Sequence, residues 1–556
     1  MKKYLLLFLL VICAIGANAQ RISGVVIDSD SAPILGASVT VQDSPTIGTI
    51  TNPDGTFELN GVKPQDVLEF SYIGFETQQI AVGERTNFKV TMLADAVEMD
   101  DVVVIGYGTQ KKALLTGANS NIAGDAIAEL KPATAMEALQ GVVPGLSVTR
   151  NSGSPGAGTS ITIRGMGTIG DSDPLFIVDG VSVGDINYLN PSDIASIDVL
   201  KDAASAAIYG ARAANGVVLV TTKKGKAGAD GKMATSVSYD GYFGIQNTYK
   251  ELETLDAQEY MFIIDESRTN DGLAPLDWES LIKTNTYLSS TFGEEIGADY
   301  GNYIWDKLEN GWSGTNWIDE ISTDDAIIQS HSVNLTGGAK DFTYAAGASY
   351  YDQEGIIGGD VIGAGYTRIT TRLNSEVVLF KNSRHNILTF GENLTYTNTK
   401  NKDTANGNIY YNDLHAALVA SPLMPAYWDR EGIQAYTNGF APNLDGLDVD
   451  HLNPLAEMYF HRNFSYNKSN NIVGNVYAEL QPIKNLKIRS SFGMNVWFGN
   501  YRSYSPKYSM GSLLSNTTTS ASMTISQGTT HTWTNTASYD FDISRISTLK
   551  MQTTFV

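Results

Sequence analysis

From about residue 232 the chain alternates apolar and polar positions with a period of two. Leu486, Ile488, Phe492, Met494, Val496 and Phe498 alternate with Lys487, Arg489, Ser491, Gly493, Asn495 and Trp497. Ile472, Gly474, Val476, Ala478 and Leu480 alternate with Asn471, Asn475 and Glu479. The same pattern recurs over Phe342 to Tyr350 and over Trp533 to Phe541. Runs of near ten residues with one greasy and one wet face predict antiparallel strands. They fit a transmembrane barrel with a polar interior, and a soluble sandwich gives the same period. Glu392 falls on the apolar face of Leu388, Phe390, Leu394 and Tyr396. It predicts either a bulge there or an inward-pointing apolar face. Gly337 to Asp341 predicts a hairpin turn, and the polar stretches at about 250–328 and 400–470 predict long loops. Trp278, Trp305, Trp312, Trp317, Tyr427 and Trp428 in those stretches suit either ligand stacking or the packing of loop cores.

The first 230 residues have a different rhythm. Over 21–95, short alternating runs are separated by Pro33, Asn52-Pro53-Asp54-Gly55 and Gly61, which predicts a small β-sandwich. Asp100 and Asp101 then precede the β-branched run Val102, Val103, Val104 and Ile105, closed by Gly106 and Tyr107. Strand propensity is high there, and the flanking charges discourage self-association. From 113 to 227 the pattern is α+β. Ala135–Gly141 reads as a short helix, Ser160–Arg164 and Pro174–Gly180 as strands, and the glycine-rich segment Gly145–Gly170 as tight turns. Asn190 to Gly225 reads as a turn, a strand through Ile194–Leu200, an Ala-rich helix over Asp202–Tyr209, a glycine-bearing turn and the buried strand Val217–Thr222.

Composition narrows the class. The amino terminus has a basic Lys2-Lys3, an apolar Tyr4–Ile12 and a small-x-small Ala17-Asn18-Ala19, so 1–19 reads as a secretory signal peptide. Cys13 follows the bulky Ile12, which disfavours lipid attachment, and it is the one cysteine of the chain. Disulfides are therefore not expected to support the fold. The formal charge is −22, and two units more negative without Lys2 and Lys3, which argues against nucleic acid as a partner. Beyond the signal peptide no apolar run is long enough for a spanning helix, so any membrane segment must be β.

The wording of Asn190–Gly225 resembles the plug signature of TonB-dependent outer-membrane transporters of the SusC/RagA type. Gly48–Phe57 resembles the carboxypeptidase-regulatory-like fold that often precedes the plug in that family. The resemblance implies a mainly β architecture. A signal peptide spans 1–19, a β-sandwich 20–95, a TonB-box linker 96–112, an α+β plug 113–227, and an incomplete transmembrane antiparallel β-barrel 228–556. It implies that Asp100, Asp101, Val102, Val103, Val104, Ile105, Gly106 and Tyr107 form the TonB box, which adds as a strand to the periplasmic protein TonB. A plain linker strand packed on the plug is the alternative. It places Arg164, Asp179, Asp202, Tyr209, Arg212 and Asn215 in the matched plug motifs, as working residues or as structural ion pairs and turn contacts. The implied activity is import of a bulky glycan or peptide across the cell outer membrane. A SusD-type surface lipoprotein would be the partner, lipid would surround the barrel, and the N-terminal domain would be periplasmic. A ligand-sensing transducer and a truncated surface-binding protein are the other readings.

No chemistry of an enzyme stands out. The six His are scattered, the N-terminal sandwich has no zinc spacing, and no P-loop occurs. Gly165–Gly170 matches GxGxxG, but Asp171-Ser172-Asp173-Pro174 follows where a nucleotide site needs a helix. Asp28 with Asp30, and Asp171 with Asp173, lack the glycine and distal glutamate of a calcium loop. No cofactor or metal is expected. About ten candidate strands follow residue 232, against the roughly 22 that the resemblance implies, which predicts the N-terminal half of a longer transporter or a truncated gene product.

Overall fold

The computed structural model describes residues 20–28, 33–42, 44–72, 75, 77–92, 102–105, 108–111, 119–166, 169–170, 172–202, 207–228, 231–249, 252–284, 286–408, 412–444, 452–542 and 550–555. Residues 1–19, where the sequence predicts a signal peptide, lie outside them. The chain divides into two compact units, the first through Val103 with Gln110–Leu115, the second holding the rest.

In the first unit, strands β1 (Gln20–Ile27), β4 (Thr56–Val62) and β7 (Asn87–Thr91) form one sheet in the order β4-β1-β7. Strands β2 (Ser38–Val41), β3 (Ser44–Ile50), β5 (Val67–Ser71) and β6 (Gln78–Ala81) form the other, in the order β3-β2-β5-β6. Alternation puts Val39, Val41, Phe57, Leu59, Leu68, Phe70, Phe88 and Val90 into one core, as the sandwich reading expects. Val102–Ile105 (β8) and Gly108–Lys111 (β9) are short strands in a two-stranded sheet.

The second unit begins with an α+β domain. Its sheet runs β10 (Asn119–Ala123), β15 (Ile194–Leu200), β16 (Val217–Thr222), β13 (Leu175–Val178) and β14 (Val181–Val183). Strands β11 (Leu146–Arg150) and β12 (Thr159–Ile163) make a separate hairpin. The strand over Val217–Thr222 falls where the sequence puts it. The helix over Ala135–Gly141 shrinks to a 3₁₀ turn at Glu137–Leu139. Of the Ala-rich segment, 203–206 lie outside the described residues, and 207–213 are 3₁₀ turns kinked at Gly210 (φ 68°).

Nine strands then form a consecutive antiparallel sheet: β17 (Ala234–Gln246), β18 (Ala326–Ala339), β19 (Phe342–Glu354), β20 (Gly365–Lys381), β21 (Asn386–Lys402), β22 (Tyr466–Ile483), β23 (Leu486–Ser505), β26 (Ser520–Asp542) and β27 (Lys550–Phe555). Tyr508–Ser509 (β24) and Ser515–Asn516 (β25) pair apart from it. Among the described residues the order runs from β17 to β27 without closing, so the barrel is incomplete. Two-residue turns such as Lys340-Asp341 sit at one end, and Gly337 and Gly338 stay within β18. The long connections, 247–325, 355–364, 403–465 and 506–519, all leave the other end. Among the described residues no helix is long and apolar enough to cross a membrane.

Glu392 resolves in neither expected way. It pairs in unbroken register with Ser375 and Val476, and the irregularities of β20–β21 fall between Val378 and Lys381. Its face carries exposed Phe390, Leu394 and Tyr396 and points outward, while Gly391, Asn393, Thr395 and Thr397 are buried inside. The charge therefore sits on the outer wall of a regular strand.

The two long polar stretches connect wall strands, as loops should, but they are not irregular. They hold helices Ala257–Asn270, Trp278–Lys283, Thr286–Phe292, Glu294–Glu309, Trp317–Ile321, Asp413–Val419 and Pro454–Arg462. Asp256 accepts from the Glu259 N–H at 2.8 Å while Glu259 reaches back to the Asp256 N–H at 3.1 Å, a full capping box. Asp277, Asn316, Asn412 and Asn453 cap four of the others. These helices close over a core of their own. Trp278, Trp317 and Trp428 are buried in it, Trp305 and Trp312 pack against it, and Tyr427 stays exposed. Trp317 is 2 % exposed and donates its indole N–H to the Ser421 carbonyl at 2.9 Å. Trp317→Ala is expected to cost about 3–5 kcal/mol. Hydrogen exchange over 257–321 should speed up while that of β17–β23 stays unchanged, and exchange unaltered in both would contradict an independent core.

Candidate functional site: the seat of the plug in the barrel wall

Strand β20 alternates Ile369, Thr371 and Leu373 outward with Arg368, Thr370, Arg372 and Asn374 inward. Every one of the four inward side chains meets the α+β domain. Arg368 donates to the Asn187 carbonyl at 2.9 Å, and Thr370 to the Tyr188 carbonyl at 3.4 Å. Asn374 donates to Thr222 Oγ1 at 2.8 Å and to the Lys223 carbonyl at 3.0 Å. Arg372 donates to the same Lys223 carbonyl and, at 3.2 Å, to Asn334 Oδ1. Neighbouring strands add Thr397 to the Tyr188 carbonyl at 3.1 Å and Ser192 Oγ to Ser332 Oγ at 2.8 Å. Asn475, oriented by Asn393 at 3.0 Å, donates to the Asp179 carbonyl.

At the centre, Arg372 Nε lies 3.5 Å from Asp193 Oδ1, with side-chain exposures of 0 % and 3 %. That separation is a charge contact, too long for a strong hydrogen bond. Burial pushes the Asp193 carboxyl up, while the Arg372 guanidinium, and more weakly Lys223 and Arg368, pull it down. The arginine cannot lose its proton, so the aspartate is the charge that balances it. Pro191–Asp193 is a 3₁₀ turn whose Asn190 accepts from the Ser192 N–H at 3.1 Å, which fixes the carboxylate's direction. Gly347 makes the close approach possible: a Cβ there would stand 2.6 Å from Asn334 Oδ1 and 2.9 Å from Asp193 Oδ1.

Of the residues of the matched plug motifs, the structure places Asp179 at this seat and the others away from it. Asp179 (φ 48°) and Gly180 (φ 89°) form the two-residue turn between β13 and β14, where both positions need positive φ. The Asp179 carboxylate accepts from the Thr222 N–H at 3.0 Å and Thr222 Oγ1 at 2.7 Å, so it ties that turn to the end of β16. Tyr209 is buried with Ile177, Leu200, Val217 and Leu219 on the opposite face of the plug sheet. Asn215 Nδ2 reaches the Asp173 carbonyl at 3.4 Å, Asp202 is half-buried after β15, and Arg212 is exposed. Arg164 is exposed with φ 59°, its N–H on the Gly145 carbonyl at 2.9 Å. Asp100, Asp101, Gly106 and Tyr107 lie outside the described residues, and Val102, Val103, Val104 and Ile105 form β8. Sequence reasoning missed Arg368 and Arg372. The available signal was two arginines four apart on the polar face of an otherwise apolar-alternating strand.

Comparisons with known proteins fit this arrangement. A TonB-dependent receptor plug domain model matches 111–217, and a CarboxypepD_reg-like domain model matches 22–104. The TonB-dependent receptor SusC of Bacteroides thetaiotaomicron is 31% identical over 537 residues, covering 92% of this chain and 48% of the relative. The chain belongs with the SusC/RagA-type TonB-dependent receptors. The TonB-dependent receptor P26 of Formosa agariphila is 32% identical over 487 residues, covering 86% of this chain and 43% of that one. A solved structure of the RagAB peptide importer in its open-open state superposes with TM-score 0.63 at 24% identity, covering 80% of this chain and 47% of its own, and shares the fold. The chain spans about half the length of the curated relatives it matches. These homologues are receptors and transporters rather than enzymes.

A second titratable cluster lies in the helical cap. Burial and the neighbouring Asp413 raise Glu457 to about 7, against a weaker opposing pull from Arg462. Asp413 is itself pushed up by burial although the Ala405 N–H donates to it at 2.6 Å.

Two outcomes are expected from these sites. Arg372→Gln leaves Asp193 buried without its counter-charge and should cost about 3–5 kcal/mol, read as release of the plug at lower urea. The double variant Arg372→Gln with Asp193→Asn should recover part of that loss, and strictly additive losses would contradict a coupled pair. In the cap, a carboxyl raised from 4.5 to about 7 on folding contributes stability below its unfolded value that is lost as pH climbs through 7. The stability difference between the wild type and Glu457→Gln should therefore move against the wild type from pH 4.5 to 7; a pH-independent difference would refute the assignment.

Proposed function

We propose that the chain provides the sandwich, TonB box, plug and first part of the wall of a TonB-dependent importer of the cell outer membrane, with its N-terminal domain in the periplasm. The observation that carries this reading is chemical. The plug's hydrophobic core takes in one wall residue, Val473, and Val181 packs on Gly493, but the other described contacts between plug and wall are mostly hydrogen bonds and one ion pair. A polar contact of this kind can be exchanged for water at a small net cost per bond, whereas an apolar one cannot. The plug can therefore be sheared in the lumen without first being unfolded.

Force would arrive through Asp100–Tyr107, which adds as a strand to TonB by β-augmentation. The extended form of Val102–Ile105 supports that mode. A SusD-type surface lipoprotein would close over the looped end, where exposed Phe262, Ile263 and Leu273 offer apolar surface on and beside one cap helix. The cargo is a glycan or a peptide. A cap cleft of about 310 Å³ lined by Asp319, Glu320, Ser322, Asp360 and Tyr427 suits sugar hydroxyls or basic peptide groups, and the aromatic face suits stacking.

Val104→Pro tests the partner. Proline removes one ladder donor from the added strand. Binding of the purified TonB C-terminal domain to the membrane-extracted protein should fall about tenfold or more with insertion unchanged. Undiminished binding would remove the TonB-box assignment.

A further inference from the structure

Against an acidic chain, one patch of the outer wall is strongly basic. Lys400 and Lys402 on β21, Lys468 on β22 and Arg502 on β23 share the outward parity of Tyr396, Ile472 and Val496. Lys400 lies directly opposite Lys468 in the β21–β22 register. Like charges in that position destabilise a sheet. Three of the cations crowd a single ring: Lys400, Lys468 and Arg502 lie 5.8, 5.4 and 6.0 Å from the centroid of Tyr466. Among the described residues none of the four has a carboxylate within 4.0 Å. Asp352 and Glu354 lie with Lys400 and Lys402 along an adjoining groove of about 280 Å³. Thr367 and the Ile327 N–H donate to them at 2.8 and 3.2 Å, which leaves their charges in place, but neither comes within 4.0 Å of the cations, so they offset the patch only in part. The face of an aromatic ring attracts a cation but carries no net charge, so the repulsion is left over.

The height of the patch decides what balances it. The outward residues from Leu388 to Tyr396 span about 26 Å along the strand, the height of a barrel's apolar band once tilt is allowed for. Lys400 comes four residues beyond Tyr396, about 13 Å further along the strand towards the end with the long connections. In outer-membrane barrels that end faces outside the cell. The four cations thus stand just above the acyl region, where the headgroups of the outer leaflet lie.

We propose that this patch binds the phosphate groups of a lipid headgroup in the outer leaflet, with Lys400, Lys468 and Arg502 as the principal cations and Tyr466 as the platform that gathers them. The inference rests on the membrane placement proposed above. The test uses the full membrane-extracted protein and the triple variant Lys400→Gln, Lys468→Gln, Arg502→Gln. Retention of bisphosphorylated lipid A, its phosphate-free form and inorganic phosphate is measured by native mass spectrometry. The wild type should retain the bisphosphorylated lipid about 100-fold better than the variant, from three cations each acting on the phosphates. The phosphate-free lipid should show no such preference, and millimolar inorganic phosphate should not displace the bound lipid. In lipid-free detergent the variant should unfold no earlier than the wild type, because it has lost a repulsion. Equal retention by both proteins overturns the proposal, as does ready displacement by inorganic phosphate, which would make this an anion site without a lipid. An earlier-unfolding variant would assign the cations to the fold and overturns it as well. A protein that partitions into the membrane yet shows no phosphate preference refutes the headgroup site alone and leaves the importer reading standing.

Discussion

A guanidinium with no solvent exposure has to be balanced, and Arg372 is that charge in this protein. Placed on the inward face of a wall strand, it costs several kcal/mol of desolvation unless a counter-charge and acceptors meet it. The plug supplies them: the Asp193 carboxylate and the Lys223 carbonyl, with Asn334 of β18, two strands away across Gly347, completing the set. Much else follows from this need. Gly347 keeps the wall open enough for Asp193, Asn190 caps the turn that aims it, and Asp179 holds the end of β16 so that Lys223 arrives in place. The seat is therefore specific in position and mostly polar, as the proposed release of the plug requires.

The two sides of the wall answer to different solvents. Inside, Arg368, Thr370, Asn374, Asn393, Thr395 and Thr397 are polar and buried against the plug. Outside, Ile369, Leu373, Phe390, Leu394 and Phe492 are exposed, which suits hydrocarbon. Because the side-chain period of a strand is two, a slip of one residue would put Arg372 into lipid and Leu373 against Asp193. The lock thus fixes the register of β20 as well as the position of the plug.

What the sequence made legible was whatever a local period or turn determines. The sandwich, the strand Val217–Thr222 and the wall strands around 342–350, 472–480 and 486–498 all announce themselves through alternation. The helical cap did not, because helices of five to sixteen residues embedded in polar sequence show little stripe of their own. Their capping residues, above all Asp256 with Glu259, were the readable sign. The Arg372–Asp193 pair was beyond reach for another reason. Nothing local distinguishes an arginine facing a wet lumen from one whose partner arrives from a separate domain far earlier in the chain. Glu392 misled because alternation shows which residues share a face and leaves open which solvent that face meets.

The central claim is that the plug must leave its seat for the protein to work. Cysteines at Ser192 and Ser332, whose hydroxyl oxygens lie 2.8 Å apart, test it by stapling plug to wall. The measurement is uptake of a fluorescent glycan or peptide by cells carrying the double variant, before and after reduction. The account predicts that the oxidised form imports nothing and that uptake returns with a reductant, while each single variant imports normally throughout. Undiminished uptake through a fully cross-linked protein would contradict it.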